Sequence, residues 1–393
     1  MGKMIYLDNA ATTPTSPEVI EAMLPFYEER YGNPSAVYEF GAKGKKAIEE
    51  ARSIIAESIG ANKEEIYFTA GGSEADNWAL KATAESLSGK GRHIITSKIE
   101  HHAVLRTCEY LEQNGYDITY LDVDANGFVN LERLRRAIRP DTILISIMMA
   151  NNEIGTIEPI GRIGLLARRY GICFHTDAVQ AYGHIPIRVD TMHIDMLSAS
   201  AHKFNGPKGV GFLYIRECKR IPSFVHGGGQ ERENRAGTEN VPGIVGMGRA
   251  AELASESMAK RAEQESRIRD YLIYSILKEV PGSRLNGDWR NRLPNNADFC
   301  FQDIEGGNLL VMLDMEGICA SAGSACSSGE NSPSHVLTAI GIRPELARGA
   351  LRLTLSETVT AADIDIVVAS IKKNVGILRS QSAVVHEPDE EQT

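Results

Sequence analysis

Short apolar runs alternate with amphipathic stretches over the first two thirds of the chain. The apolar runs occupy residues 65–69, 93–97, 118–123, 142–149, 172–175, 196–200 and 209–215. Strand-length apolar runs separated by helix-length amphipathic stretches are typical of a mainly parallel sheet with crossover helices on both faces. The pattern therefore predicts an α/β core.

The last third of the chain has a different pattern. A long connecting helix is predicted over 251–277, because its apolar residues recur at helical spacing. Strand candidates follow at 297–301, 317–320 and 350–355. A final helix begins with the capping-box pattern Thr360-x-x-Asp363 and has one apolar face, formed by Ile364, Val367, Val368 and Ile371. These elements predict a smaller α+β domain.

Composition narrows the class of protein. The chain has 393 residues, of which 42% are hydrophobic, and this is ordinary for a globular enzyme with two domains. The formal charge of -10 argues against nonspecific binding to nucleic acid or to anionic lipid. Because no signal-like or bilayer-length apolar run is present, we expect a cytoplasmic protein. The six cysteines are scattered and form no Cys-x-x-Cys pair.

Lys203 is the first candidate for chemistry. It lies in Ser-Ala-Ser-Ala-His-Lys-Phe-Asn-Gly-Pro-Lys-Gly, residues 198–209, after a strand-like run and before a Gly-Pro turn. A lysine held desolvated at a strand end can act as a Schiff-base nucleophile. A lone lysine at a turn is more often an ordinary surface residue. The motifs elsewhere in the chain favour the nucleophile.

A glycine-rich turn forms a second candidate site. Gly71, Gly72 and Ser73 follow the predicted strand 65–69 and precede a helical run over 74–87. Free backbone amides and the positive end of a helix would then point at one spot, as in a phosphate cradle. Taken alone, such a pattern is more often an ordinary tight strand-to-helix turn.

Cys326 lies in Ser-Ala-Gly-Ser-Ala-Cys-Ser-Ser-Gly, residues 321–329. The surrounding glycines and serines predict a mobile polar loop rather than a buried segment. A thiol with a pKa of about 8.5 is partly thiolate near neutrality and is a good nucleophile toward sulfur. The alternative is an inert buried cysteine, which is the commonest fate of a thiol.

Together with His-Thr-Asp-Ala-Val-Gln at 175–180, these motifs resemble the cysteine desulfurases of the NifS/IscS type over nearly the whole chain. That group belongs to the class V aminotransferases, which are enzymes of pyridoxal 5'-phosphate. The resemblance implies fold type I, with a mainly parallel seven-stranded sheet in a large domain and a smaller C-terminal α+β domain. We expect the large domain at 16–257, the small domain at 1–15 and 258–380, and a disordered acidic tail at 381–393.

The resemblance also assigns the residues around the cofactor. Asp177 would keep the ring nitrogen protonated, which pyridoxal chemistry needs in order to accept electrons from the substrate. A rival interpretation of His175-x-Asp177 is half of a metal site, but we predict no metal because no compatible third ligand motif is present. The remaining cofactor contacts implied are Gly72, Ser73, Ser200 and His202 at the phosphate, Gln180 at the phenolic oxygen, and Asn152 beside the ring.

Three further residues are implied by the same resemblance. Thr238 would reach the cofactor phosphate of a neighbouring subunit, which makes a homodimer part of the site. His101 would stack on the ring and shuttle protons, although the residue pattern by itself does not separate it from His102. Arg352 lies on an apolar strand and would bind the substrate carboxylate with its two-pronged guanidinium, with Asn152 beside it. A structural salt bridge with a local acid is the alternative role for Arg352.

The implied activity is the conversion of L-cysteine to L-alanine, with Lys203 taking the Cα proton and Cys326 taking the sulfur as a persulfide. His101 is the expected proton donor to the departing fragment. The persulfide would serve an iron-sulfur scaffold protein or another thiol acceptor, and the spacing from Cys326 to His335 resembles that of the long-loop subgroup, which hands sulfur directly to a scaffold.

Other functions remain open at this point. A selenocysteine lyase would use the same residues. A class V aminotransferase would use Lys203 and Asp177 but would have no need of Cys326. A catalytically silent pyridoxal-binding protein is a third possibility.

Overall fold

The computed structural model describes residues 4–217, 219, 221–322 and 333–385, with side chains described as far as residue 381. Its strands are β1 (Ile5–Tyr6), β2 (Ile66–Thr69), β3 (His93–Ser97), β4 (Asp117–Leu121), β5 (Thr142–Ser146), β6 (Cys173–Asp177), β7 (Met196–Ser200), β8 (Gly211–Ile215), β9 (Ser283–Asn286), β10 (Asn296–Phe301), β11 (Ile318–Cys319) and β12 (Ala350–Thr354).

The α-helices are α1 (Pro17–Met23), α2 (Pro25–Glu28), α3 (Glu39–Ile59), α4 (Gly72–Ser86), α5 (His102–Gln113), α6 (Leu131–Ala137), α7 (Ile160–Tyr170), α8 (Val241–Glu279), α9 (Gly306–Met315), α10 (His335–Ala339), α11 (Pro344–Ala347) and α12 (Ala361–Val385). None of the described helices is both long enough and apolar enough to cross a membrane.

The central sheet has seven strands in the order β2-β8-β7-β6-β5-β3-β4. The pairs β3-β4, β3-β5, β5-β6 and β6-β7 are parallel, whereas β8 runs antiparallel to both of its neighbours. The prediction of a mainly parallel seven-stranded sheet is therefore confirmed. Each predicted apolar run in the first two thirds of the chain contains or overlaps one of these strands.

The strands read as continuous apolar runs because both faces of the sheet are covered. Ile95 and Phe174 pack in one hydrophobic cluster with residues of α3, α7 and α8. Their sequence neighbours Ile94 and Cys173 pack in a second cluster, with residues of α4 and α5. Successive side chains of a strand point to opposite faces, so a sheet between two helical layers needs apolar residues at nearly every position.

A second group of elements follows the long helix. The strands β12-β10-β9 form an antiparallel sheet, and its hydrophobic cluster includes residues of α8, α9 and α12. β1 pairs in parallel with β11, so the N-terminal segment lies against this C-terminal part of the chain. The capping box at the start of α12 is formed: Thr360 N donates to Asp363 Oδ2 at 3.0 Å, and Asp363 N donates to Thr360 Oγ1 at 3.2 Å.

Two predicted boundaries were wrong. The long helix begins at Val241, ten residues before the predicted 251, because its early glycines serve close packing and do not form a loop. A Cβ at Gly248 would lie 2.7 Å from Cβ of Ala51 on α3, so the two helices approach closely there. α12 continues to Val385, so residues 381–385 are helical although the disordered tail was predicted to begin at 381. Residues 386–393 lie outside the described chain.

Candidate active site

A cavity of about 290 Å³ lies where β2, β3, β5, β6 and β7 end. Ligands of open α/β sheets bind at the carboxyl ends of the strands, so this is the expected place for a site. Ten of the predicted site residues line it: Gly72, Ser73, His101, Asn152, Asp177, Gln180, Ser200, His202, Lys203 and Arg352. The remaining two, Thr238 and Cys326, are treated separately below.

Lys203 ends a short 3-10 turn, Ala201–Lys203, that follows β7. Its Nζ donates to the carbonyl oxygens of Ala10 at 2.5 Å and Ala11 at 2.8 Å. The N-terminal segment is held there by Thr13, whose N and Oγ1 both donate to the carbonyl of His202. The amine is therefore oriented by a segment about 190 residues earlier in the chain.

Asp177 is the last residue of β6 and is buried. Its Oδ1 accepts a hydrogen bond from Val179 N at 2.9 Å. Burial raises the pKa of Asp177, while His101, the Val179 N–H and Lys203 oppose that rise. A buried carboxylate with compensating positive groups nearby is suited to face a protonated ring nitrogen.

The glycine turn opens α4 as the sequence indicated. The first amides of a helix have no partner within the helix and attract anions. Ser200 borders the same turn, since a Cβ at Gly72 would lie 3.6 Å from Cβ of Ser200. A Cβ at Gly72 would also lie only 2.5 Å from Cγ2 of Val179, so the space admits glycine alone.

These groups fit pyridoxal phosphate. The α4 amides with Ser200 and His202 suit the phosphate, Lys203 suits the aldehyde, and Asp177 suits the ring nitrogen. His175 offers no ligand for a metal in this arrangement, because its two ring nitrogens lie 2.9 Å from the hydroxyls of Ser146 and Ser198.

Gly72→Ala should weaken cofactor binding. Inserting a methyl group against Val179 forces a shift that typically costs about 1–3 kcal/mol. If half of that cost opposes cofactor binding, the Kd for pyridoxal phosphate rises roughly two- to tenfold. Titration of the cofactor-free protein measures this, with Gly89→Ala as control because a Cβ there meets nothing within 4 Å. An unchanged Kd in Gly72→Ala would contradict the cradle.

The structure separates His101 from its neighbour. His101 lines the cavity and caps α5, with its Nδ1 accepting from Ala103 N at 3.1 Å. His102 instead packs on the ring of His335, with 4.8 Å between the ring centroids. Burial lowers the pKa of His101, and because Nδ1 accepts from Ala103 N, the neutral ring carries its proton on Nε2. The ring can therefore donate a proton from Nε2.

Arg352 on β12 points into the same cavity but is not unpaired. Its NH2 lies 2.8 Å from Asp8 Oδ1, and its NH1 donates to the carbonyl of Asn152 at 3.0 Å. Its Nε is buried without a hydrogen-bond partner among the described residues. The salt bridge considered as an alternative is thus present, and a substrate carboxylate would have to share or displace Asp8.

Cys326 lies outside the described residues, but both flanks of its segment are described. On one side, Ser321 and Arg352 exchange backbone hydrogen bonds of 3.2 and 2.6 Å. On the other side, Ser334 Oγ lies 2.5 Å from a carboxylate oxygen of Glu153, and His335 Nε2 lies 3.0 Å from the carbonyl of Glu100. The segment is therefore tied at both ends to residues in or beside the cavity wall.

Thr238 is exposed and does not line the cavity of this protomer. Its segment is held near the start of α4 by Arg235, whose Nε and NH2 bind the carboxylate of Glu74 at 2.8 and 3.0 Å. A role toward a neighbouring subunit stays a prediction.

Sequence reasoning missed several residues of the wall, chiefly Asp76, Met148 and the carbonyl acceptors of Ala10 and Ala11. Asp76 had a detectable signal. It lies four residues after Gly72 in a helix, so it shares the face of α4 that bears the glycine turn.

A larger groove of about 1520 Å³ lies between α6 and α7. It is lined by arginines and apolar residues, including Arg162, Arg169 and Leu165, and by none of the predicted site residues. The concentration of titratable groups and helix-end amides at the smaller cavity makes that cavity the candidate active site.

Comparisons with known proteins show what the whole chain is similar to. A family model described as "Aminotransferase class-V" matches residues 5–367. A cysteine desulfurase IscS from Dictyoglomus turgidum is 53% identical over 382 residues, which cover 97% of each chain. One from Methanosarcina thermophila is 53% identical over 380 residues, covering 97% of this chain and 94% of the relative.

Solved structures give the same picture. A NifS-like protein superposes with a TM-score of 0.90 at 38% identity, covering 95% of this chain and all of the other. A structure titled "SspA in complex with cysteine" has a TM-score of 0.81 at 40% identity and covers 90% of this chain and 99% of the other.

Proposed function

The chain belongs to the class V aminotransferase family as a pyridoxal phosphate-dependent cysteine desulfurase, and from this premise we propose how its cavity residues act. The reaction converts L-cysteine to L-alanine and transfers the sulfur to an acceptor. The observation that supports the residue roles best is the meeting in one cavity of Lys203 from the turn after β7, Asp177 from the end of β6 and Arg352 from β12.

When bound, pyridoxal phosphate supplies an electron sink for the charge that develops at the substrate Cα. Asp177 holds the proton on the ring nitrogen, without which that sink is weak. The α4 amides, Ser200 and His202 hold the phosphate, and Gln180 and Asn152 flank the ring. The lining of the cavity and the family support these proposed roles.

Lys203 is the covalent anchor of the cofactor and, once released, the base. Its Nζ takes the Cα proton of the substrate, and the carbonyls of Ala10 and Ala11 hold it in position. The substrate carboxylate binds the guanidinium of Arg352, which shifts part of its hydrogen bonding away from Asp8.

Sulfur transfer requires the thiolate of Cys326. The thiolate attacks the substrate sulfur, a new S–S bond forms, and the C–S bond breaks with its electron pair left on the Cβ carbon. His101 then supplies a proton from Nε2 to Cβ, Lys203 Nζ returns its proton to Cα, and the fragment leaves as alanine. The described residues on both sides of the Cys326 segment are hydrogen-bonded beside the cavity, which supports an attack by Cys326 on a substrate bound there.

We propose that the persulfide is passed to an iron-sulfur scaffold protein or another thiol acceptor, in the cytoplasm. We also propose a homodimer in which the exposed Thr238 reaches the partner's cofactor phosphate. Sedimentation of the loaded enzyme tests the dimer, and a monomer that turns over normally would contradict it.

The function is tested by incubating the loaded enzyme with L-cysteine and a thiol reductant, then measuring alanine and sulfide. We expect the two products in equal amounts, without any added keto acid. Formation of alanine only in the presence of an amino-group acceptor would favour an aminotransferase. A kcat/KM for L-selenocysteine far above that for L-cysteine would favour a selenocysteine lyase.

A further inference from the structure

Two buried aspartates share the floor of the cavity. Asp76 on α4 is 1% exposed and Asp177 on β6 is 5% exposed. With one ring nitrogen of His101, their carboxylate oxygens form a group whose members all lie within 4.8 Å of one another. The proposed reaction uses Asp177 and His101 but gives Asp76 no role.

The two carboxyl groups have unequal partners. Asp177 accepts a hydrogen bond from the N–H of Val179 and lies near the ammonium group of Lys203. Among the described residues, the carboxyl group of Asp76 has a hydrogen bond with the hydroxyl of Ser198. Its Oδ1 is buried and has no hydrogen-bond partner among those residues. A negative charge is therefore better compensated on Asp177 than on Asp76.

The other groups facing Asp76 do not compensate a charge there. His175 Nε2 lies 3.6 Å from Asp76 Oδ1, but burial lowers the pKa of His175 to about 3, so this ring is neutral. The charge of Glu100 also acts on Asp76, and Glu100 is itself buried, which raises its pKa to about 8. Two neighbouring carboxyl groups in such a setting ionise one at a time.

We propose that Asp76 is a positioning residue that holds the proton of this pair, so that Asp177 alone is ionised opposite the ring nitrogen of the cofactor. The inference rests on the proposed role of Asp177 at that ring nitrogen. A second negative charge within 4.8 Å would compete with Asp177 for the ring proton and pull Lys203 and His101 out of position.

The raised pKa of Asp76 determines whether folding stability rises or falls with pH. Burial raises the pKa of Asp76 well above the ordinary 3.8, and the nearby Asp177 raises it further. The folded protein then keeps a proton that the unfolded chain has released. Stability from this group is present at low pH and is lost as the pH rises toward the folded-state pKa.

The test compares full-length, cofactor-loaded wild type with Asp76→Asn, which imitates the protonated acid. We expect the Tm of Asp76→Asn relative to wild type to increase as the pH is raised from about 5 to about 8. An Asp76 that is already ionised in the folded protein gives a Tm difference that stays flat over this range. Should the asparagine variant fail to fold, Asp76→Ser removes the same titration.

A second readout is the absorbance of the bound cofactor against pH. At alkaline pH Asp76 loses its proton, and the added negative charge raises the inflection in wild type, so the inflection should lie about one pH unit or more lower in Asp76→Asn. Glu158→Gln is the matched control: burial raises the pKa of Glu158 to about 8, but the residue lies outside the cavity. It should reproduce the trend in Tm and leave the inflection in place.

The proposal requires both results. A Tm difference that is flat or falls with pH, or an inflection unmoved in Asp76→Asn, would overturn it. Neither measurement depends on turnover of cysteine, so failure of the inference is distinguishable from failure of the proposed function, which the alanine and sulfide assay decides.

Discussion

Lys203→Ala is expected to lower kcat for L-cysteine by at least about 10⁴-fold, as is typical when a catalytic nucleophile is removed. The substitution removes both the covalent anchor of the cofactor and the base for the Cα proton. The arrangement leaves no substitute, because the carbonyls of Ala10 and Ala11 orient this one amine. Alanine formed per enzyme per unit time measures the effect, and the absorbance spectrum reports whether the cofactor is still attached.

Lys208→Ala is the matched control, since Lys208 is exposed in the turn that follows. It should turn over within about twofold of wild type, because surface substitutions away from such features have small effects. If Lys203→Ala instead kept its kcat within about tenfold of wild type, a loss of only 1.4 kcal/mol, the residue would be neither anchor nor base.

Cys326→Ala should lower net turnover by roughly 10³-fold or more, because the sulfur then has no protein nucleophile to accept it. The cofactor spectrum should still respond to L-cysteine, since the cavity residues that bind substrate are intact. The direct measurement is the mass of the peptide containing residue 326 after brief incubation with L-cysteine and alkylation. Wild type should gain one sulfur atom, and Lys203→Ala should gain none.

Cys319→Ala supplies the control for this experiment. Cys319 is partly exposed on β11, shortly before the Cys326 segment, and burial raises its pKa. A thiol of this kind is less often thiolate, so its loss should leave turnover unchanged. A Cys326→Ala enzyme that still makes alanine and sulfide at the wild-type rate would contradict the persulfide step and favour the aminotransferase alternative.

The α/β core was predictable because its signal is local. A strand covered on both faces needs apolar residues at nearly every position, and pairs such as Ile94 and Ile95 show this directly in the sequence. The capping box at Thr360 and the glycine turn at Gly72 are likewise properties of a few adjacent residues. The start of α8 was missed because Gly248 reads as a loop former until α3 is seen against it.

The motifs indicated a Schiff-base lysine at a strand end and a cysteine nucleophile in a polar loop, and the family resemblance that they carry implied pyridoxal phosphate. Only the tertiary structure decided which polar and charged groups lie next to each other. The amine of Lys203 meets carbonyls about 190 residues away, Arg352 meets Asp8, and Asp76 meets Asp177. Periodicity and capping are set by neighbours in sequence, whereas the charge state of a buried group is set by its neighbours in space, and folding alone brings those together.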